Sequence, residues 1–260
     1  MILFARPSVL RSRGILGMNR RNVGVIGEHN PRRNYPLVDN KFNTKRAAQA
    51  NNIPVPALFG RVDYQHQVTD VISQLEPHEG FVIKPAQGSG GKGILVITGR
   101  HGANYIKSSG QEVDAAEIRR HVSNILAGLH SLGGRNDCAM IEALIDFDPL
   151  LADYSYEGVP DIRVIVFKGV PVMAMMRCAT HASDGKANLH QGAVGVGLDI
   201  ATGRSVRAVQ HGTLVEAHPD TGACFLSLEI PHWDRVLDLA ASCVEMTGLG
   251  YLGADIVLDR

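Results

Sequence analysis

The chain has 260 residues, 45% of them hydrophobic and 20% charged, with 26 basic and 26 acidic side chains and a formal net charge of zero. Such a chain is an ordinary globular protein of one large or two small domains. Its balance excludes a global electrostatic pull on nucleic acid or membrane, and no apolar run approaches the roughly 18 residues that a transmembrane helix needs.

Residues 1–38 read as irregular around a short apolar piece, NVGVIG. They hold seven arginines, Arg6, Arg11, Arg13, Arg20, Arg21, Arg32 and Arg33, against one acid, Glu28. This segment is a transit peptide or, more simply, a surface arm or a rim around an anionic ligand. A helix follows, with Asp39 or Asn40 as its cap and Asn51-Asn52 as its stop. Val68, Val71, Ile72 and Leu75 fall at helical spacing. The strand GFVIKP, a glycine-rich loop and the strand GILVITG come next. Ile118, Val122, Ile125, Leu126 and Leu129 mark a longer helix, closed by Gly133-Gly134.

CAMIEALI reads as a buried strand. DIRVIVF and VPVMAMMRCAT form a hairpin around Lys168-Gly169, and GAVGVGLDIATGRSVRAV forms another. Trp233, Val236, Leu237, Ala240 and Val244 give a last helix ending near Gly248, and GADIVLD is a final strand. Helices are interspersed without strict βαβ alternation, so the fold class is α+β with antiparallel sheets. The four cysteines, Cys138, Cys178, Cys224 and Cys243, are scattered. They suggest neither a zinc site nor a disulfide framework and fit a reducing cytoplasm.

Gly88, Gly90 and Gly93 match G-x-G-x-x-G. A dinucleotide-binding loop must open a helix, whereas ILVIT is strand-like. A P-loop fails too, because Lys92 is followed by Gly93 rather than Ser or Thr. Strand, glycine loop, strand is instead a flap of the kind that covers ATP phosphates with backbone N–H groups. Glycine is required there for close approach and for positive φ. Lys84, on the strand, and Lys92, in the loop, are placed to meet phosphates. The plainer reading is a tight hairpin with a polar tip.

Further along, Glu142 sits in an apolar run. Asp161 and Arg163 share a strand face, and Arg177 joins them if the hairpin connection has an odd residue count; a two-residue loop separates the arginines. Together they are either a clamp for phosphate or acyl phosphate or cross-strand salt bridges. Asp255, in an apolar strand, is a magnesium ligand or the partner of an arginine. Asn188, His190 and Gln191, in the loop KANLHQGA, meet substrate or simply form the loop.

Taken in order, the lysine and glycine flap, the Glu in an apolar strand, D-x-R, Arg, N-L-H and a late G-x-D resemble the ATP-grasp superfamily over residues 36–260, and within it the RimK-like α-L-glutamate ligases. The helix VDNKFNTKRAAQANNIPVP also looks like the helix leading into that fold.

The resemblance implies two α+β subdomains whose antiparallel sheets clasp ATP between them. Residues 1–38 would be a basic segment, 39–140 the small subdomain and 141–260 the large one, incomplete at its C-terminus. ATP and Mg2+ would be the cofactors, with Mn2+ as a substitute. Lys45 and Lys84 would contact phosphate under a flap of Gly88, Ser89, Gly90, Gly91, Lys92 and Gly93. Glu142, Ala143 and Leu144 would form the adenine hinge, and Asp161 would meet the ribose or the region beside it. Arg163 and Arg177 would face the γ-phosphate and acyl phosphate, Lys186 and Asn188 would line the nucleotide and substrate side, and Asp255 would bind magnesium.

The family's E-x-N, which supplies further metal ligands, would follow Arg260 in a chain truncated there. The implied reaction joins a small-molecule carboxylate, with glutamate as one such substrate, to an amine. Three other readings are a non-catalytic ATP-binding module, a phosphotransferase, and a role in cell-surface sugar chemistry, to which relatives with a short N-terminus are linked.

Overall fold

A computed structural model describes residues 6–88, 90–131 and 133–260 of the chain. The described part of the N-terminal segment is helical rather than irregular. It runs through α1 (Pro7–Ser12), α2 (Met18–Arg21), a π-helical turn Asn22–Gly27, a 3-10 turn Arg32–Asn34 and α3 (Tyr35–Val38). Pro7 and Pro36, each within the first two positions of its helix, preset φ there. The short turns lack the long apolar period that sequence reading relies on, and α1 and α2 bury no residue. The segment is tied down near its end. The Asn30 side chain donates to Tyr251 O at 2.7 Å and accepts from Tyr251 N at 2.8 Å, pairing with the backbone as a strand would.

The first six strands form one antiparallel sheet. They are β1 (Leu58–Val62), β2 (Phe81–Pro85), β3 (Leu95–His101), β4 (Asn104–Lys107), β5 (Glu112–Val113) and β6 (Ala139–Glu142), in the order β1-β6-β2-β3-β4-β5. β6 spans the 140/141 division and pairs with β1 and β2 throughout. Alternation along β2 sends Phe81 and Ile83 to one face, where they pack with Ile118, Val122 and Ile125 of α6 (Ala115–Leu126). Helix α5 (Val71–Leu75) buries Val71 and Leu75 in the same core. Each such aliphatic side chain contributes about 1.5–3 kcal/mol on burial.

Asp114 and Glu117 close a capping box at the start of α6. The helix ends at Leu126, earlier than expected, because Gly128 takes φ +80° and the backbone of Arg135 closes over it. Leu129 is consequently 68% exposed. On the sheet's other face lies α4 (Lys41–Ala50), whose cap Asn40 accepts from the N–H groups of Phe42 and Asn43.

The remaining strands form a second antiparallel sheet in the order β11-β10-β9-β8-β7-β12. They are β7 (Asp161–Phe167), β8 (Val170–Cys178), β9 (Val194–Leu198), β10 (Ser205–Gln210), β11 (Thr213–Val215) and β12 (Tyr251–Ile256). Helix α7 (Trp233–Thr247) packs Trp233, Val236 and Ala240 on the face carrying Ile162, Val164, Met176 and Val196. The final strand begins and ends earlier than GADIVLD, so Val257 and Asp259 fall beyond its regular alternation. The class is α+β with antiparallel sheets, as expected. Among the described residues no helix is long and apolar enough to cross a membrane.

Candidate active site

The face of the first sheet turned away from α6 carries its charges. Val82 lies opposite Glu142 across β2 and β6, so Lys84, two residues along, projects on the same side. The Lys84 ammonium is 2.5 Å from Glu142 Oε2, and Lys45, reaching over from α4, is 3.0 Å from Oε1. The Glu142 side chain is only 3% exposed. Lys45 Nζ also donates to Pro56 O, and among the described residues Oε1 has no aligned hydrogen-bond donor. Lys45 is thus an ionic partner of Oε1 without saturating it.

Burial lowers the Lys45 pKa against the pull of Glu142, and burial followed by repulsion from Lys84 lowers that of Lys41. Lys41, Lys45 and Lys84 outnumber Glu142 and Asp137, so this pocket of charge favours an added anion.

The flap rises from this place. Lys41 Nζ donates to Gly88 O, and both carboxylate oxygens of Asp137 accept from Gln87 N, at 3.1 and 2.9 Å. These two residues fix the root of the flap. Nothing in the spacing marked them, because their partners are backbone groups of distant elements. Gly90, Gly91 and Gly93 have φ of +63°, +74° and +76°, the left-handed region that side chains disfavour. A β-carbon on Gly93 would lie 2.5 Å from His130 Cγ. Ser89 lies outside the described residues, and Lys92 is exposed. The tip reaches the second sheet's loops: a β-carbon on Gly90 would be 3.8 Å from Asn188 Nδ2, and one on Gly91 3.5 Å from Lys186 Cδ.

The second sheet brings four charges to one face. The hairpin loop is the two-residue Lys168-Gly169, both with positive φ. By itself that would separate the arginines. A bulge intervenes, since Ile165 faces Met173 while Val166 faces Pro171, leaving Val172 as an extra residue. Asp161 therefore lies opposite Arg177, and Asp255 lies opposite Arg163. Arg177 holds Asp161 with two bonds of 2.5 Å, Arg163 holds Asp255 with two of 2.6 Å, and Arg177 Nη2 is 3.0 Å from Asp255 Oδ2. Burial raises the Asp161 pKa against the opposing pull of Arg177.

A family model described as sugar-transfer associated ATP-grasp matches residues 20–260. The chain belongs to this family. Solved structures similar to this ATP-grasp chain include a D-alanine–D-alanine ligase from Bacillus anthracis, at 12% identity over 97% of this chain and 59% of that one, with a TM-score of 0.47. D-cycloserine synthetase DcsG is 16% identical over 86% of this chain and 63% of its own, with a TM-score of 0.44. The ATP-grasp ligase PsnB, complexed with precursor peptide PsnA2 and AMPPNP, is 13% identical over 100% and 62%, with a TM-score of 0.41. The chain spans between 59% and 63% of the length of these three structures. No curated protein matches it.

Within the ATP-grasp chain the expected site residues fall into two groups joined by the flap. Lys45, Lys84 and Glu142 meet on the first sheet, and Asp161, Arg163, Arg177 and Asp255 meet on the second. Next to Glu142, the Ala143 N–H is already donated to Ala57 O at 2.9 Å, and Leu144 packs against Gly80. Lys186 pairs with Asp184 at 2.7 Å, and the Asn188 side chain accepts from His190 N. Among the described residues no group of three potential metal ligands converges.

Proposed function

We propose that the chain is an ATP-dependent carboxylate–amine ligase. The observation that carries this reading is the flap, which leaves the lysine cluster and reaches Lys186 and Asn188 beside the arginine cluster. Phosphates beneath it would lie between the two groups. The first unit, residues 39–140 extended through β6, would hold the nucleotide, and 141–260 would hold the reacting groups, with residues 1–38 as a basic flank.

In the proposed reaction a substrate carboxylate oxygen attacks the γ-phosphorus of ATP. The bond to the β–γ bridging oxygen breaks and ADP departs, leaving an acyl phosphate. The amine nitrogen then attacks the acyl carbon, the C–O bond to phosphate breaks, and the amide forms. The amine's proton passes to phosphate or water. Lys45 and Lys84 bind phosphate oxygens, whose negative charge would complement the buried ammonium groups. Glu142 positions both lysines, and Ala143 and Leu144 would border the adenine. Arg163 and Arg177 neutralise charge on the γ-phosphoryl group and the acyl phosphate, with Asp161 fixing Arg177.

Magnesium is usually held with nucleotides by one or two carboxylates with phosphates and water, and of the two carboxylates in the second cluster Asp255 is the more exposed, although Arg163 and Arg177 already bond its oxygens. Asp255, with its side chain 43% exposed, would hold Mg2+, or Mn2+ in its place. Bound, the ion supplies neutralisation of phosphate charge.

ADP release that requires both a carboxylate and an amine tests the proposal. ADP formed without amine would support a phosphotransferase, and ATP binding without turnover a binding module. The family description supports a second reading, in which the carboxylate or amine belongs to sugar chemistry. Glutamate, from the RimK-like resemblance, is one carboxylate to test.

A further inference from the structure

Beside the four-charge cluster, the same face of the second sheet carries a groove of about 600 Å3. Its floor is Gly195 and Gly197 of β9, directly across from Arg177 and Met175 of β8. Met173, Met175, Leu189 and Val209 line its walls. Glycine within a strand weakens it and often marks a place where something approaches the backbone closely. Here a β-carbon on Gly195 would lie 3.2 Å from Leu189, whereas one on Gly197 would meet only Arg207 O, at 3.6 Å. The missing side chains create the space. Met173 is 60% exposed and Val209 39%, so large apolar groups face water at this place.

Both sides of the groove connect to the ligase site. On one side Arg177, outside the lining but paired across the sheet with the floor residue Gly195, bonds to Asp161 and Asp255 through Nε and Nη2 and, among the described residues, not through Nη1. On the other, Leu189 follows Asn188, which the flap tip approaches. No acidic residue lines the groove among the described residues, and His190 and His211 do. An anionic head group directed to Arg177 fits this lining, and an ammonium does not.

Resting on the ligase reading, we propose that the groove binds the carboxylate substrate and selects one with an uncharged, apolar body, aliphatic or aromatic, over glutamate. The volume falls within the range of small-molecule sites. A second carboxylate, as in glutamate, would lose hydration against Met173 and Met175, whereas His190 and His211 are exposed and stay hydrated.

The test uses the full chain and four probes: 4-methylpentanoate, 3-phenylpropionate, glutarate and L-glutamate. Binding is measured by calorimetry, in parallel with ATP binding. Turnover is read with ATP, Mg2+ and hydroxylamine, which attacks an acyl phosphate to give a hydroxamate and phosphate. The two apolar carboxylates should bind at least about tenfold more tightly than the two diacids, the discrimination available from a few apolar contacts. Gly197→Leu, which fills the floor, and Met173→Glu, at an exposed position, should each remove about that preference while ATP affinity stays unchanged. Equal or tighter binding of the diacids, no binding of any probe, or variants that leave the preference intact would overturn the groove assignment while ATP binding stands. Loss of ATP binding in the unmodified chain would instead overturn the ligase reading, and this inference with it.

Discussion

Glu142 Oε2 lies 2.5 Å from the Lys84 ammonium, on a side chain that is 3% exposed, with Lys45 on its other oxygen. One carboxylate therefore compensates two buried or half-buried cations. Removing one partner of such a pair leaves uncompensated charge in a poorly solvated place. Glu142→Gln should lower unfolding free energy by about 3 kcal/mol, read as a reduced urea midpoint with an unchanged slope. A midpoint equal to that of the unmodified chain would mean that the lysines are solvated without it.

Lys84→Ala should leave the fold intact, because Glu142 keeps Lys45 as an ionic partner and the Lys84 side chain is 24% exposed. ATP affinity should fall about tenfold to a hundredfold, the worth of a charged hydrogen bond. Calorimetry checks this, and unchanged affinity would remove Lys84 from the phosphate site.

The lysine pKa values give a pH dependence. Burial lowers the Lys45 pKa from 10.5, so between the lowered value and 10.5 the unfolded chain holds more protons than the folded one. Lys45 thus makes stability rise with pH across that window. A bound polyphosphate would raise the lowered values again, so ATP binding in that window should take up protons and weaken as pH rises. Calorimetry at alkaline pH in two buffers of different ionisation enthalpy measures the uptake. Zero uptake would place the phosphates away from Lys41 and Lys45.

Much of this arrangement was legible in the sequence. Apolar spacing located α6 and α7, and strand alternation put Asp161 beside Arg163. The grouping of Arg177 with them was not legible, because it depends on the bulge at Val172 that offsets the two-residue turn. The roles of Lys41 and Asp137 were hidden for another reason: each bonds to backbone groups, which carry no residue-specific signal. The N-terminal turns were missed because they bury nothing that would impose a period.

Gly93→Val should strain the flap, since it adds branches at φ +76° where a β-carbon already meets His130. A left-handed conformation costs an ordinary residue about 1–2 kcal/mol, so the urea midpoint should fall by at least that equivalent and ATP affinity should drop with it. A fully stable variant with normal ATP binding would show that the loop's conformation is immaterial.

Asp255→Asn tests the second cluster. It removes a carboxylate that both arginines share and that is the proposed Mg2+ ligand. Turnover should fall about 10²-fold, as for loss of one charge-stabilising contact, and the Mg2+ concentration for half-maximal activity should rise. An unchanged Mg2+ dependence would make Asp255 purely a partner of the arginines.

In the proposed site the lysine cluster and the flap hold the phosphates of ATP. The most direct measurement is calorimetric titration of the 260-residue chain with ATP, with and without Mg2+. Saturable one-to-one binding that tightens when Mg2+ is present is the expected result. Absence of binding, or binding indifferent to both Mg2+ and the Lys84→Ala change, would contradict it.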